Sequence, residues 1–124
     1  MAADHLLSAQ VILSDGSQVH WQEESLEVLE KRAKQAVVTS ERAAAIERAA
    51  LQIRDQYGSL IKERWPRTWR RASGYSLNYL LPWSASMPPN WEYTTYPDLK
   101  AGHINLAYLL AGSEGTLGIL SLAT

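Results

Sequence analysis

Apolar and polar positions along the chain change period several times, and each change marks an element. Over residues 6–21, Val11 and Leu13 alternate with Ile12, Ser14-Asp15-Gly16-Ser17 supplies turn chemistry, and Val19 and Trp21 resume the alternation. A period of two broken by Asp-Gly predicts a β-hairpin, because Asp-Gly tolerates the positive φ angles of tight turns. The period then lengthens. Residues 25–38 predict a first helix, with Ser25 as N-cap and Leu26, Leu29, Ala33 and Ala36 (or Val37) at helical spacing. Thr39-Ser40 offers a second cap. Beyond it Ala43, Ile46, Ala50, Ile53, Tyr57 and Ile61 recur every three or four residues, opposite Glu41, Arg42, Glu47, Arg48, Arg54 and Asp55. Pro66 cannot continue this second helix and restricts the residue before it, so the helix is expected to end near Arg64.

The rest of the chain is less periodic. Residues 65–100 hold all five prolines and Trp65, Trp69, Trp83 and Trp91. Within them, residues 84–90 read as an exposed loop. Residues 104–111 are apolar and suit a buried helix closed by Gly112, and residues 117–123 read as a buried strand. That strand shares a sheet with the hairpin in the expected fold. The fold class is α+β: a small, largely antiparallel sheet with two helices packed on one face. An apolar strand that stops at Thr124 without a cap reads as part of a longer chain.

Composition narrows the chemistry. Twelve basic and thirteen acidic residues nearly cancel, so bulk charge favours neither nucleic acid nor an acidic tail. The chain has no cysteine. That removes disulfides, thiolate zinc sites and Cys-held iron–sulfur clusters from it and fits a cytoplasmic location. No run of 18 apolar residues exists, so no membrane-spanning helix is expected. His5, His20 and His103 show no metal spacing and read as independent surface or turn residues. No nucleophile–base set emerges, so no catalytic residue is assigned.

Two segments carry candidate binding chemistry. Gly112-Ser113-Glu114-Gly115-Thr116-Leu117-Gly118-Ile119 places three glycines among small polar residues between apolar runs. Glycines permit positive φ and close approach, and successive N–H groups can form a concavity for phosphate or carbonyl oxygens. The spacing matches neither the dinucleotide-binding pattern nor a P-loop, and on physical grounds alone a tight connection between buried elements is the first reading. The second segment, residues 62–75, combines Lys62, Arg64, Arg67, Arg70 and Arg71 with Trp65, Trp69 and Tyr75. It reads either as a solvated helix end with a domain contact or as a nucleic-acid-binding module, since arginines grip phosphates and aromatic rings stack on bases.

Four segments in order resemble the FAD-linked oxidase family, whose FAD domain is of the vanillyl-alcohol oxidase/p-cresol methylhydroxylase type. Residues 112–119 resemble its glycine signature. Val11-Ile12-Leu13-Ser14-Asp15-Gly16 resembles its "VVLADG" hairpin, Arg70-Arg71-Ala72-Ser73-Gly74-Tyr75-Ser76-Leu77 its "RRVSGYNL" stretch, and Asn105-Leu106-Ala107-Tyr108-Leu109-Leu110 its "NLARLL". The resemblance covers nearly the whole chain and is weakest over 82–100. It is closest to the dehydrogenases of 2-hydroxy acids such as glycolate, D-lactate and D-2-hydroxyglutarate, which often work with an iron–sulfur partner or module. It implies that residues 1–124 are the second of two subdomains of an FAD-binding domain, without the first subdomain or the substrate cap domain. It further implies that Gly112, Ser113, Glu114, Gly115, Thr116, Gly118 and Ile119 lie near FAD, largely through backbone contacts. The parent protein would be an FAD-dependent enzyme passing hydride from a small 2-hydroxy acid to flavin, and the isolated segment would be inactive. Glu114 sits awkwardly there, because a carboxylate repels a pyrophosphate; a local turn or an Arg partner suits it better.

Overall fold

A computed structural model describes residues 5–35, 40–66, 74–81 and 99–124. Its centre is a four-stranded antiparallel sheet in the order β3-β2-β1-β4. The strands are β1 (Ser8–Ile12), β2 (Gln18–Ser25), β3 (His103–Asn105) and β4 (Ile119–Ala123). The hairpin forms where the alternation places it, with Ala9 opposite Trp21 and Val11 opposite Val19. Gly16, at φ 81°, takes the left-handed position of the turn. β2 runs four residues past the expected end at Trp21, because Glu23, Glu24 and Ser25 pair with Asn105, Ile104 and His103 of β3.

Ser25 then switches the chain from strand to helix. Its hydroxyl accepts from the Glu27 amide and opens α1 (Leu26–Lys34). Ser40 does the same for α2 (Glu41–Arg64), accepting from the Ala43 amide. The expected continuation of α1 over residues 36–38 falls outside the described residues. α2 stops at Arg64 as Pro66 requires, with Trp65 in an extended conformation. The two helices pack on each other, and α1 also contacts β2. Ala9, Val11, Leu13 and Trp21 from one face of the sheet join Leu29, Ala43 and Ala50 from the helices, and Ile104, Leu106 and Leu109, in one core. The fold is therefore α+β, as the pattern predicts.

Several expectations need correction. The buried stripe of α2 runs through Ala43, Glu47, Ala50, Gly58 and Ile61, not through Tyr57, which is half-exposed. Glu47, expected on the solvent face, is 2% exposed. It is accommodated because Arg32 of α1 reaches it at 2.9 Å and also pairs with Glu24 at 2.6 Å. The guanidinium's pKa is held above its ordinary value, chiefly by the hydrogen bonds to Glu24 and secondarily by Glu47, against the opposing effect of burial.

Residues 104–109 are buried, Leu110 and Ala111 half-buried, and the run ends at a left-handed Gly112 (φ 91°), but it does not form an α-helix. Pairing with β2 holds residues 103–105 extended, which leaves room only for a 3-10 turn, Leu106–Leu110. Asn105 fixes that switch: its side chain accepts from the Ala107 amide at 3.0 Å and donates to the Leu7 carbonyl at 2.9 Å. A second 3-10 turn, Leu77–Leu80, packs beside it. Finally, β4 is not buried. It pairs with β1 at the sheet edge, and Ile119, Leu120 and Leu122 are 68%, 49% and 55% exposed. The loop expected over residues 84–90 lies outside the described residues.

Candidate functional site

The glycine segment forms a compact loop between the Leu106–Leu110 turn and β4. Gly112, Glu114 and Gly115 all take positive φ, at 91°, 51° and 76°. Ser113 is 5% exposed, and both its amide and its hydroxyl donate to the Leu110 carbonyl, at 3.1 and 2.8 Å. The Thr116 amide and hydroxyl repeat the arrangement three residues on, donating to the Ser113 carbonyl at 3.0 and 2.6 Å. These paired bonds fold the loop onto itself. The amides of Glu114, Gly115, Leu117 and Gly118 have no hydrogen-bond partner among the described residues.

Two glycines are needed for packing as well as conformation. A Cβ at Gly112 would stand 2.5 Å from the Gly74 carbonyl oxygen. One at Gly118 would stand 2.5 Å from Val11 Cγ1 and 2.9 Å from the Ile12 carbonyl oxygen. The loop is thus pressed between the 74–76 segment on one side and β1 on the other. Tyr75 reinforces the first contact, its hydroxyl lying 2.6 Å from Thr116 Oγ1. The Thr116 proton is already directed at the Ser113 carbonyl, so Tyr75 is the donor of this bond and keeps a lone pair for another group.

Cavities lie on both sides of the loop. One, about 150 Å³, is lined by Leu13, Ser14, Gly115, Thr116 and Gly118 with Ile12, Leu117 and Ile119. The other, about 190 Å³, is an apolar cleft formed by Ile46 and Ile53 of α2 with Tyr75, Leu77 and Leu117. Leu117 is the wall between them. The seven residues that the resemblance places near FAD, which with Leu117 make up the segment 112–119, thus take three places in the loop. Gly112 and Ser113 form the packed base, Glu114, Gly115 and Thr116 the crest, and Gly118 and Ile119 the entry to β4. Glu114 is exposed, and no ion pair joins it to a described arginine. Tyr75 was legible in the basic and aromatic stretch and in the resembling segment 70–77; the fold sets it against the glycine loop.

Of the rest of the basic and aromatic stretch, Lys62 and Arg64 are exposed on the last turn of α2 and Trp65 packs against Tyr79 and Tyr108, while residues 67–73, including Arg70 and Arg71, are outside the described residues. Among the described residues no helix is long and apolar enough to cross a membrane. The chain matches no protein-family model, no curated protein and no solved structure.

Proposed function

We propose that this chain forms one wall of an FAD site in an oxidoreductase acting on small 2-hydroxy acids. The observation that carries the reading is the glycine loop. Its left-handed backbone, close packing on β1 and partnerless amides at Glu114, Gly115, Leu117 and Gly118 suit the oxygens of a phosphate-bearing cofactor. The ordered resemblance of four segments to FAD-linked oxidases supplies the cofactor's identity. FAD would contribute the redox chemistry, its ring accepting hydride from the substrate carbon. This chain would contribute shape and hydrogen bonds. Gly115 and Gly118 would keep the loop open to the cofactor, Ser113 and Thr116 would hold its curvature, and Ile119 would carry the backbone onward beside it. The groups acting on substrate, and any iron–sulfur electron acceptor, would belong to other parts of a larger protein, cytoplasmic in this reading.

The test is expression of this segment together with its flanking coding sequence, followed by gel filtration and a flavin absorbance spectrum. Flavin is expected to co-purify, and Gly115→Val is expected to lower its occupancy at least about tenfold, equivalent to about 1.4 kcal/mol of binding. A colourless wild-type protein in excess FAD overturns the proposal. The 124-residue chain by itself is expected to hold FAD weakly, and a stoichiometric yellow complex with it alone would contradict the one-wall reading.

A further inference from the structure

A third pocket lies away from the glycine loop, where the middle of α2, the Leu77–Leu80 turn and the start of β3 meet. It measures about 90 Å³ and is lined by Arg54, Lys100 and His103 with an apolar floor that includes Leu26 and Leu80. Among its described lining residues three are basic and none is acidic. Arg54 is the central group. It is half-buried, and its Nε donates to the Leu80 carbonyl at 2.8 Å, which fixes the plane of the guanidinium. No carboxylate among the described residues pairs with its terminal nitrogens. Arg32 shows the usual solution for a half-buried arginine in this chain, a fork filled by two carboxylates. Arg54 has the same planar fork but no such partner among the described residues, and a partly desolvated cation favours one.

Glu23 stands beside the turn at the pocket's rim. Its Oε1 accepts from the Lys100 amide at 3.1 Å and lies 3.1 Å from His103 Nδ1, a contact whose geometry falls short of a hydrogen bond. Among the described residues, Glu23 therefore offsets one of the two cations, Arg54 and Lys100, and leaves their balance positive. The turn at the pocket's rim adds amide donors. His103 N–H closes that turn onto the Lys100 carbonyl, with Gly102 at φ 73°, while the Ala101 and Gly102 amides have no partner among the described residues.

We propose that this pocket binds a compact oxyanion, a phosphate or carboxylate group, held by the Arg54 fork, Lys100 and the Ala101–Gly102 amides. The size of the cavity admits a small anionic group, and the fork geometry selects planar or tetrahedral oxygens over chloride. The proposal is independent of the flavin reading.

Thermal unfolding at constant ionic strength tests it, with chloride replaced by inorganic phosphate in one arm and by glycolate in another. A ligand that binds only the folded chain raises Tm, by about 3 °C or more at tenfold excess over Kd. That rise over chloride is expected in at least one arm. Phosphate alone identifies a phosphate site, glycolate alone a carboxylate site, and both a general oxyanion site. The rise is expected to vanish in Arg54→Gln and in Lys100→Gln. Lys100 is exposed on a turn, so its variant remains decisive if Arg54→Gln does not fold. No rise over chloride in either arm, or an unchanged rise in Lys100→Gln, overturns the proposal.

Discussion

At Gly118 a single methyl group would collide with β1. The added Cβ meets a Val11 methyl at 2.5 Å and the Ile12 carbonyl at 2.9 Å, and neither can retreat without moving a central strand. Gly118→Ala is therefore expected to destabilise the chain by about 1–3 kcal/mol, read as a lower urea midpoint. Asp15 illustrates a different single-residue effect. Its carboxylate accepts from the Ser17 hydroxyl and amide, and from the Ser40 hydroxyl at 2.9 Å. Those bonds, the Ser17 hydroxyl's first, hold its pKa below the ordinary range. A carboxylate depressed on folding stabilises fully above its unfolded pKa, about 3.9, and loses that contribution as pH falls through the lower folded value. The urea midpoints of wild type and Asp15→Asn are thus expected to differ by a constant amount from pH 7 to about pH 5. The difference is expected to shrink below about pH 4; a gap that stays constant to pH 2.5 would contradict this.

Among the elements, the sequence was most legible where a local rule and the tertiary context agreed. Ser25, Ser40, Gly16 and Pro66 act through bonds or torsions within a few residues, and each sits where sequence reasoning put it. The stripe of α2 was less legible, because a glutamate at a core position looks like an error until its partner is known. Glu47 becomes acceptable only when Arg32, fifteen residues earlier, folds against it. This fork ties α1 to α2 and, through Glu24, to β2. Arg32→Ala would leave a nearly buried carboxylate unpaired and is expected to cost about 3 kcal/mol. Glu47→Gln, which keeps a hydrogen-bonding group without the charge, is expected to cost less. Equal losses in urea titrations of the two variants would argue against an ion-pair role. The 104–111 segment misled for a related reason. Its apolar run has no periodicity to separate helix from strand, and pairing with β2 decided the matter. Within the candidate site, the glycines were visible in sequence. The Tyr75–Thr116 bond, spanning 41 positions, was not.

For the molecule as a whole, β4 matters because it is exposed at every position. Residues 116–124 carry neither charge nor proline, and Ile119 and Leu122 remain exposed on the sheet edge. A register shift between Gln10 and Val11 leaves Ser121 as an extra residue opposite β1. Such a bulge puts Leu120 opposite core-facing Val11 but Leu122 opposite exposed Gln10. The bulge interrupts a flat edge and limits strand-to-strand pairing, yet the apolar surface remains. Leu122→Lys is expected to lower concentration-dependent light scattering while changing the unfolding free energy by less than about 0.5 kcal/mol. Unchanged scattering would show that β4 is not the adhesive surface.

The sequence by itself determined the hairpin, both helix caps, the end of α2, the α+β class and the glycine loop as a place of unusual backbone, because each follows from bonds or torsions among near neighbours. Tertiary structure decided which face of α2 is buried, that β4 lies at an edge, and that Tyr75 braces the glycine loop while Arg54 stands in a basic pocket. Those outcomes depend on partners tens of residues away, and a periodic pattern shows that a surface can be buried without showing what will cover it.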